Sequence, residues 1–457
     1  MKDNQTGHAG VQNALDEKNK RCLDGSLLHY VALDGVNVVE RSAGFSDWCE
    51  MRWQSGVFPY GRIMASKAGP SIDVVIPDKA QGSDGPPPIR MANFASQDYL
   101  GLGQSKRVAE AAIHAVEKYG VHSAGSPAFI GRSQPVTEIE QTIARLLSKE
   151  TALIYATGWA AGYGVISGLV RNTDTIVMDA LAHSCLQEGA TRATPKLLKF
   201  RHNDVEDLRR LLADARQKDP ESGVFLIIES LYSMDADGPP LAAMLVAARE
   251  FKAITILDVA HDFGSMGPRG LGALEEIAPA DYPEVIMGSF SKTFAANGGF
   301  VACHTKVKNY LYYYSSPHLF SNAISPIQAC VIRECLKIVF DEPLGKELRV
   351  AMFEKARLLR GAMVAAGCQV GGKESPIVPI FVGPENKARI ISLLIQEKGI
   401  AANLVEFPAV PRGKARFRFQ IMATHEDEAL LHAARCFGEA LATAEELMTS
   451  AKKVSDG

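Results

Sequence analysis

From Met91 onward, short apolar runs alternate with longer amphipathic stretches. Met91–Ser96, Thr151–Tyr155, Thr175–Met178, Lys196–Phe200, Val224–Ile228, Ile254–Asp258 and Val285–Met287 read as strands. The periodicity between them predicts helices over Lys106–Tyr119, Gln134–Lys149, Trp159–Val170, Ser184–Ala190, Val205–Lys218 and Leu241–Phe251. Asn203 or Asp204 is placed to cap the fifth of these. Continuously apolar strands separated by helices imply an α/β fold whose mainly parallel sheet is covered on both faces. Ligands of such sheets lie at the carboxyl ends of the strands.

After Pro343 the pattern changes. A helix over Lys346–Ala366, an apolar run Ile377–Val382, a helix Asn386–Lys398, a strand pair around Ala402 and Ala415–Ile421, and a helix His425–Met448 predict a smaller α+β domain. Before Met91, Asp16–Arg21 reads as a short helix, Leu27–Val39 as strand-like patches and Ile76–Pro88 as a loop. The expected division is an N-terminal extension 1–90, a large domain 91–343 and a small C-terminal domain 344–457.

Composition narrows the function classes. The balance of 47% hydrophobic and 22% charged residues is that of a globular domain, and a net charge of -3 offers no surface for nucleic acid or anionic lipid. Apolar runs such as Val224–Ile228 are too short for a transmembrane segment, and Met1–Asn19 carries no apolar core of a signal peptide. The 8 cysteines are scattered without a CxxC pair, so no metal site and no disulfide framework is expected, and the reducing cytoplasm is the expected compartment. Cys185 lies two residues after His183, but no other pattern supports it as a nucleophile.

Candidate chemistry gathers at strand ends. Lys292 follows the strand Val285–Met287 across Gly288-Ser289-Phe290-Ser291 and precedes the small-residue stretch Ala295–Gly299. A partly desolvated lysine amine loses its proton and condenses with an aldehyde, while serine hydroxyls bind phosphate. A solvated lysine after a strand is the plainer reading of that stretch alone. Tyr155-Ala156-Thr157-Gly158-Trp159 reads as a strand, a glycine turn and a helix start, where backbone N–H groups cradle a phosphate. His183 follows the strand Thr175–Met178 and is suited to stacking on a flat ring or to acid–base work, although lone loop histidines are more often structural. Glu229–Gly238 is a polar loop after a buried strand. Asp258 ends an apolar strand, with His261 three residues on. A buried aspartate needs a cationic partner, which a protonated ring nitrogen supplies; capping the next turn is its ordinary alternative.

Taken in order, these stretches resemble the fold-type-I pyridoxal-phosphate enzymes. More narrowly, they resemble the α-oxoamine synthases, the family of serine palmitoyltransferase, 5-aminolevulinate synthase, 8-amino-7-oxononanoate synthase and 2-amino-3-ketobutyrate CoA ligase. The likeness spans about residues 91–445, through Asp98–Leu102, Ala182-His183-Ser184, Phe200 with His202–Asp204, Ser233–Asp235, Asp258 with Ala260-His261, Gly288–Lys292 and Pro411–Arg418. It implies pyridoxal 5'-phosphate as cofactor. Lys292 would hold it as a Schiff base and move the substrate α-proton, His183 would stack on the ring, and Asp258 would bind the ring nitrogen. His261 and Ser233 would lie near the phenolic oxygen, and Ser289, Thr157, Gly158 and Trp159 would serve the phosphate and ring edge. Arg418 would grip the carboxylate of an amino acid. The resemblance also implies a homodimer with shared active sites, in which Ser321 and Asn322 reach the partner's phosphate. The implied reaction joins an amino acid (serine, glycine or alanine) to an acyl thioester, on CoA or an acyl carrier protein, with loss of CO2.

The chain departs from the family pattern at Gln97, at Val259 after the aspartate, at Pro127 in a glycine-rich loop, and at Glu406, where some members carry a second arginine. Phe407–Pro411 and Ile421–His425 look most like the palmitoyltransferase and ketobutyrate-ligase branches. Two alternatives are an aminotransferase or lyase on the same fold, and a non-catalytic partner subunit. Non-catalytic subunits lack the lysine that this chain carries at 292.

Overall fold

The computed structural model describes residues 23–76 and 87–455. Tertiary contacts divide the chain into two units, one of Gln97–Met352 and one of Met1–Ser96 with Phe353–Gly457. In chain order the strands are β1 (Ile63–Met64), β2 (Ser71–Val75), β3 (Ile89–Phe94), β4 (Thr151–Tyr155), β5 (Thr175–Asp179), β6 (Leu197–Phe200) and β7 (Val224–Glu229). They continue as β8 (Ile254–Asp258), β9 (Val285–Ser289), β10 (Gly299–Cys303), β11 (Gln369–Val370), β12 (Ile377–Gly383), β13 (Ile400–Val405) and β14 (Ala415–Gln420).

The unit Gln97–Met352 is built on a 7-stranded sheet in the order β4-β10-β9-β8-β7-β5-β6. Strands β9, β8, β7, β5 and β6 run parallel, as their apolar runs predict. All residues of β5, β7 and β9 are buried. One face carries a core of Leu153, Val165, Met178, Leu186, Ile227, Ile256 and Met287, filled in part by the helix Gly158–Leu169. The sequence reading had no strand at β10. That strand reverses the chain after β9 and pairs antiparallel with both β9 and β4, so Lys292 stands in the loop of a hairpin. In the sequence, Gly298 and Gly299 mask the start of the apolar run Phe300–Cys303. Gly298 adopts φ +136, a conformation that L side chains rarely take.

Buried aromatic rings anchor this hairpin. Phe290 and Phe294 flank Lys292 and are fully buried, their rings 5.6 Å apart. They pack with Phe300 and Phe263, at 5.3 Å for Phe290–Phe300 and 5.5 Å for Phe263–Phe294. Burying such rings contributes several kcal/mol each, enough to hold a short glycine-rich loop in one conformation.

The other unit contains a 7-stranded sheet in the order β1-β2-β3-β13-β14-β12-β11, antiparallel except where β3 runs parallel to β13. This grouping differs from the expected separate extension 1–90. Strand β3 is laid directly against the C-terminal strand β13, and β2 against β3, so their backbone groups are satisfied inside one sheet. Leu27–Val39 is not strand-like: Leu27–Tyr30 forms a short 3-10 turn, and a helix Val38–Gln54 begins at Asn37, whose side chain accepts from Glu40 N at 2.8 Å. The expected helix at Asp16–Arg21 lies outside the described residues, as does most of the expected loop Ile76–Pro88.

A buried charge cluster ties this unit together. Glu406 accepts from Arg389 Nε at 2.9 Å, lies 3.6 Å from Arg52, and takes the Tyr60 hydroxyl at 3.1 Å. Arg389 also donates to the carbonyl of Leu23. Burial pushes the Tyr60 hydroxyl well up, reinforced by the Glu406 charge. The glutamate that replaces an arginine of some family members is thus the counter-charge of two buried guanidinium groups. Glu406→Ala leaves both uncompensated and is expected to cost roughly 3–5 kcal/mol of stability, read as a lower denaturant midpoint; a loss below about 1 kcal/mol would show that the cluster does not hold the unit.

Candidate active site

Three adjacent parallel strands deliver the central groups. Glu229 at the end of β7 is in register with Asp258 at the end of β8, and Asp258 with Met287 on β9. Asp258 Oδ1 accepts from Ala260 N at 2.8 Å. Burial raises the Asp258 carboxyl to about 6, against the opposing pull of the Lys292 charge and the Ala260 N–H. Glu229 is pushed well above the ordinary carboxyl range, first by burial and then by the Asp258 charge, so it is the member of the pair that keeps a proton. Its Oε1 accepts from the backbone N–H of His183.

An anion cradle lies beside the two carboxyls. Thr157 caps the helix Gly158–Leu169, its Oγ1 accepting from Ala160 N at 3.0 Å. A Cβ at Gly158 would stand 2.4 Å from the Ser289 side chain, and one at Gly299 would stand 2.6 Å from Gly158 Cα. Both positions therefore need glycine for the helix end to close on the hairpin. Ser289 Oγ and Ser291 Oγ are 2.7 Å apart. A helix N-terminus with two hydroxyls alongside is suited to a phosphate.

His183 is half-buried, and its Nδ1 accepts from Cys185 N at 3.3 Å and meets Cys185 Sγ at 3.0 Å. A ring nitrogen that accepts a backbone N–H is unprotonated, so a neutral His183 carries its proton on Nε2. Burial raises the Cys185 thiol, and the Asp258 charge adds to the shift, which makes it a poor nucleophile. His261 is buried, with Nδ1 2.9 Å from the hydroxyl of the fully buried Tyr99.

Thr157, Gly158, Trp159, His183, Asp258, His261, Ser289 and Lys292 line one cavity of about 240 Å³. Ser233 is buried but is not among the lining residues. Ser321 and Asn322 are exposed, on a loop whose neighbours bond back to Gly125 and Ser126. Arg418 belongs to the other unit, on β14, opposite Asn403 of β13.

The sequence reading passed over two further residues. Glu229 had appeared only as the start of a polar loop, because a buried neutral acid has no sequence signature apart from its place at a strand end. His202 stood only as a family landmark. Its ring bridges Asp179 at 2.8 Å and Asp237 at 3.0 Å, tying the loop that carries His183 to the loop after β7. Burial alone would lower its pKa, but the bonds to Asp179 and Asp237 outweigh it and raise His202 to about 10.

The donor set fits pyridoxal phosphate: a buried aspartate short of positive charge, a helix end with hydroxyls for a phosphate, an imidazole on the wall, and a lysine amine. Fold and site define a pyridoxal-phosphate-dependent transferase of fold type I. A model of the family described as aminotransferase class I and II matches residues 89–437. Serine palmitoyltransferase from Sphingobacterium spiritivorum is 31% identical over 405 residues, covering 88% of this chain and 97% of the relative. An 8-amino-7-oxononanoate synthase from Geobacter sulfurreducens is 33% identical over 338 residues, 74% of this chain and 85% of its own. The solved Sphingomonas wittichii serine palmitoyltransferase shares the fold, with a TM-score of 0.81 at 24% identity over 90% of this chain and 99% of that one. The chain belongs to the aminotransferase class I and II family, among its α-oxoamine synthases, which are acyltransferases dependent on pyridoxal phosphate.

Two outcomes follow from the carboxyl pair. The folded pKa of Asp258, about 6, lies above the ordinary 3.8. In ligand-free protein its contribution to stability is therefore present below pH 3.8 and lost as pH rises through about 6. Asp258→Asn should remove that part of the pH–stability profile, measured by thermal unfolding without cofactor. Glu229→Gln, which keeps the shape of a protonated acid, should leave cofactor affinity within about twofold. Glu229→Ala, which releases His183, should weaken it roughly tenfold or more, and equal losses in both variants would mean that Glu229 acts as an anion.

Proposed function

We propose that the protein catalyses the decarboxylative condensation of a small amino acid (serine, glycine or alanine) with an acyl thioester, in the manner of serine palmitoyltransferase. The observation that carries this reading is the meeting of Lys292, Asp258 and His183 in one cavity beside a helix N-terminus. When bound, pyridoxal phosphate supplies an electron sink for a carbanion next to nitrogen. Lys292 provides the amine that carries the cofactor. The same amine would remove the α-proton of a bound amino acid. Asp258 would hold the proton of the ring nitrogen, and His183 would pack against the ring. The backbone N–H groups of Gly158 and Trp159, with the Thr157 and Ser289 hydroxyls, bind the phosphate. His261 would serve the phenolic oxygen, and the family resemblance alone supports Ser233 beside it and Arg418 as the planar two-pronged donor for the substrate carboxylate. A bond then forms from the α-carbon to the thioester carbonyl, the thiol leaves, the carboxylate departs as CO2, and a proton returns to the α-carbon.

The palmitoyltransferase branch is supported by a relative of that name aligned over nearly its whole length. A homodimer is supported by large apolar side chains exposed close to the Ser321-Asn322 loop. Phe129, Ile130 and Phe320 are each more than four-fifths exposed, at 82%, 85% and 83%. Ser321 and Asn322 are then offered to the cofactor phosphate of a second copy. Among the described residues no helix is long and apolar enough to cross a membrane.

The test is release of labelled CO2 from the carboxyl-labelled amino acid. Release should depend on an acyl thioester and fall at least about 10³-fold in Lys292→Ala. A matrix of serine, glycine and alanine against short and long acyl-CoAs and acyl carrier proteins identifies the pair. Amino-group transfer to a keto acid without any thioester would favour the aminotransferase reading instead.

A further inference from the structure

His202 does not line the catalytic cavity, yet its ring bridges the loops that leave β5 and β7. Asp179, fully buried at the end of β5, organises the first of these loops. Its Oδ1 accepts from Leu181 N at 2.8 Å and from His202 Nδ1 at 2.8 Å, and its Oδ2 accepts from Asn203 N at 2.9 Å. Its carbonyl takes Ala182 N at 3.1 Å, which closes the turn that delivers His183. Both side-chain oxygens act as acceptors, so Asp179 is held as a carboxylate.

The second loop is closed by Tyr232 N, which donates to the carbonyl of Asp237 at 2.8 Å. His202 Nε2 stands 3.0 Å from Asp237 Oδ2. Asn203 Nδ2 sits 3.1 Å from the same ring nitrogen and donates to the same oxygen at 3.3 Å. The other oxygen, Asp237 Oδ1, is shielded from solvent without a hydrogen-bond partner. The buried Tyr232 meets the His202 ring edge-on, with centroids 4.6 Å apart. Asp179, Asp237 and Tyr232 are thus the ionisable groups that face the ring, and Glu229, which keeps its proton, lies beyond Asp179. Among the described residues, His202 is the cation paired with each of the two aspartates. A neutral imidazole donates through one nitrogen only and would turn a lone pair on one of them, whereas an imidazolium serves both. Burial pulls the His202 pKa down, but the bonds to Asp179 and Asp237 outweigh it and hold it at about 10.

We propose that His202 is a positioning residue for the cofactor site, an imidazolium clamp that fixes the His183 loop against the loop after β7. Without it, the aspartates of both loops lose their counter-charge and the turn at residues 180–182 loosens, so that His183 no longer keeps its place. The proposal rests on the reading that His183 packs against the ring of pyridoxal phosphate.

The clamp is tested first in cofactor-free protein. Amide exchange at Leu181 and His183 should quicken at least about tenfold in His202→Gln. A cation whose folded pKa of about 10 stands above its ordinary 6.5 stabilises fully below pH 6.5, and that stability is lost as pH rises through about 10. Wild type should therefore melt above His202→Gln in mild acid, and the gap should close above about pH 10. In the holoenzyme, His202→Gln should weaken pyridoxal phosphate at least about threefold and reduce the visible circular dichroism of the bound cofactor. His183→Ala is the reference and should reduce the same dichroism. Nitrogen NMR of the wild-type His202 ring needs no variant: both nitrogens should carry protons at about pH 8, and a lone pair on either would overturn the proposal. So would unchanged amide exchange, a melting gap that does not narrow with pH, or cofactor affinity and dichroism equal to wild type. If His183→Ala alone alters the dichroism, the clamp is wrong and the role of His183 stands. If neither variant alters it, that role fails and takes the clamp with it.

Discussion

Two carboxyl groups stand side by side at the buried ends of β7 and β8, where both cannot stay ionised. Desolvation of one charge there costs several kcal/mol, and the neighbour adds repulsion. The site resolves this by dividing the roles. Glu229 keeps its proton and anchors the His183 backbone, while Asp258, nearer the ordinary range, takes the charge beside Lys292. A cationic ring nitrogen completes the neutralisation that the chain itself supplies only in part.

The rest of the catalytic unit holds that arrangement still. Parallel strands bring Glu229, Asp258 and Met287 to one level, and the antiparallel β10 folds the Lys292 loop back over them. Phe290 and Phe294 fix the loop on either side of the lysine. The glycines at 158 and 299 let the helix end approach within a distance that a methyl group would block. Placement of the amine thus draws on buried aromatic area and small residues.

The second unit obeys the same rule. Arg389 and Arg52 share the buried Glu406, so that the charges there are paired and the cluster is a structural element.

The sequence alone determined the parallel α/β order, because strands buried on both faces must be continuously apolar. It also singled out Lys292, Asp258, His183 and the Thr157–Trp159 turn, since reactive polar groups at the ends of apolar strands are otherwise costly. The tertiary structure decided what depends on partners distant in the chain. β10 is a strand only because β4 and β9 lie on either side of it, and Val38–Gln54 is a helix where the apolar pattern is weak. Glu229 is neutral because the fold buries it and sets it against Asp258, 29 residues away. Protonation and pairing are set by distance and burial, which a linear pattern of residues does not contain.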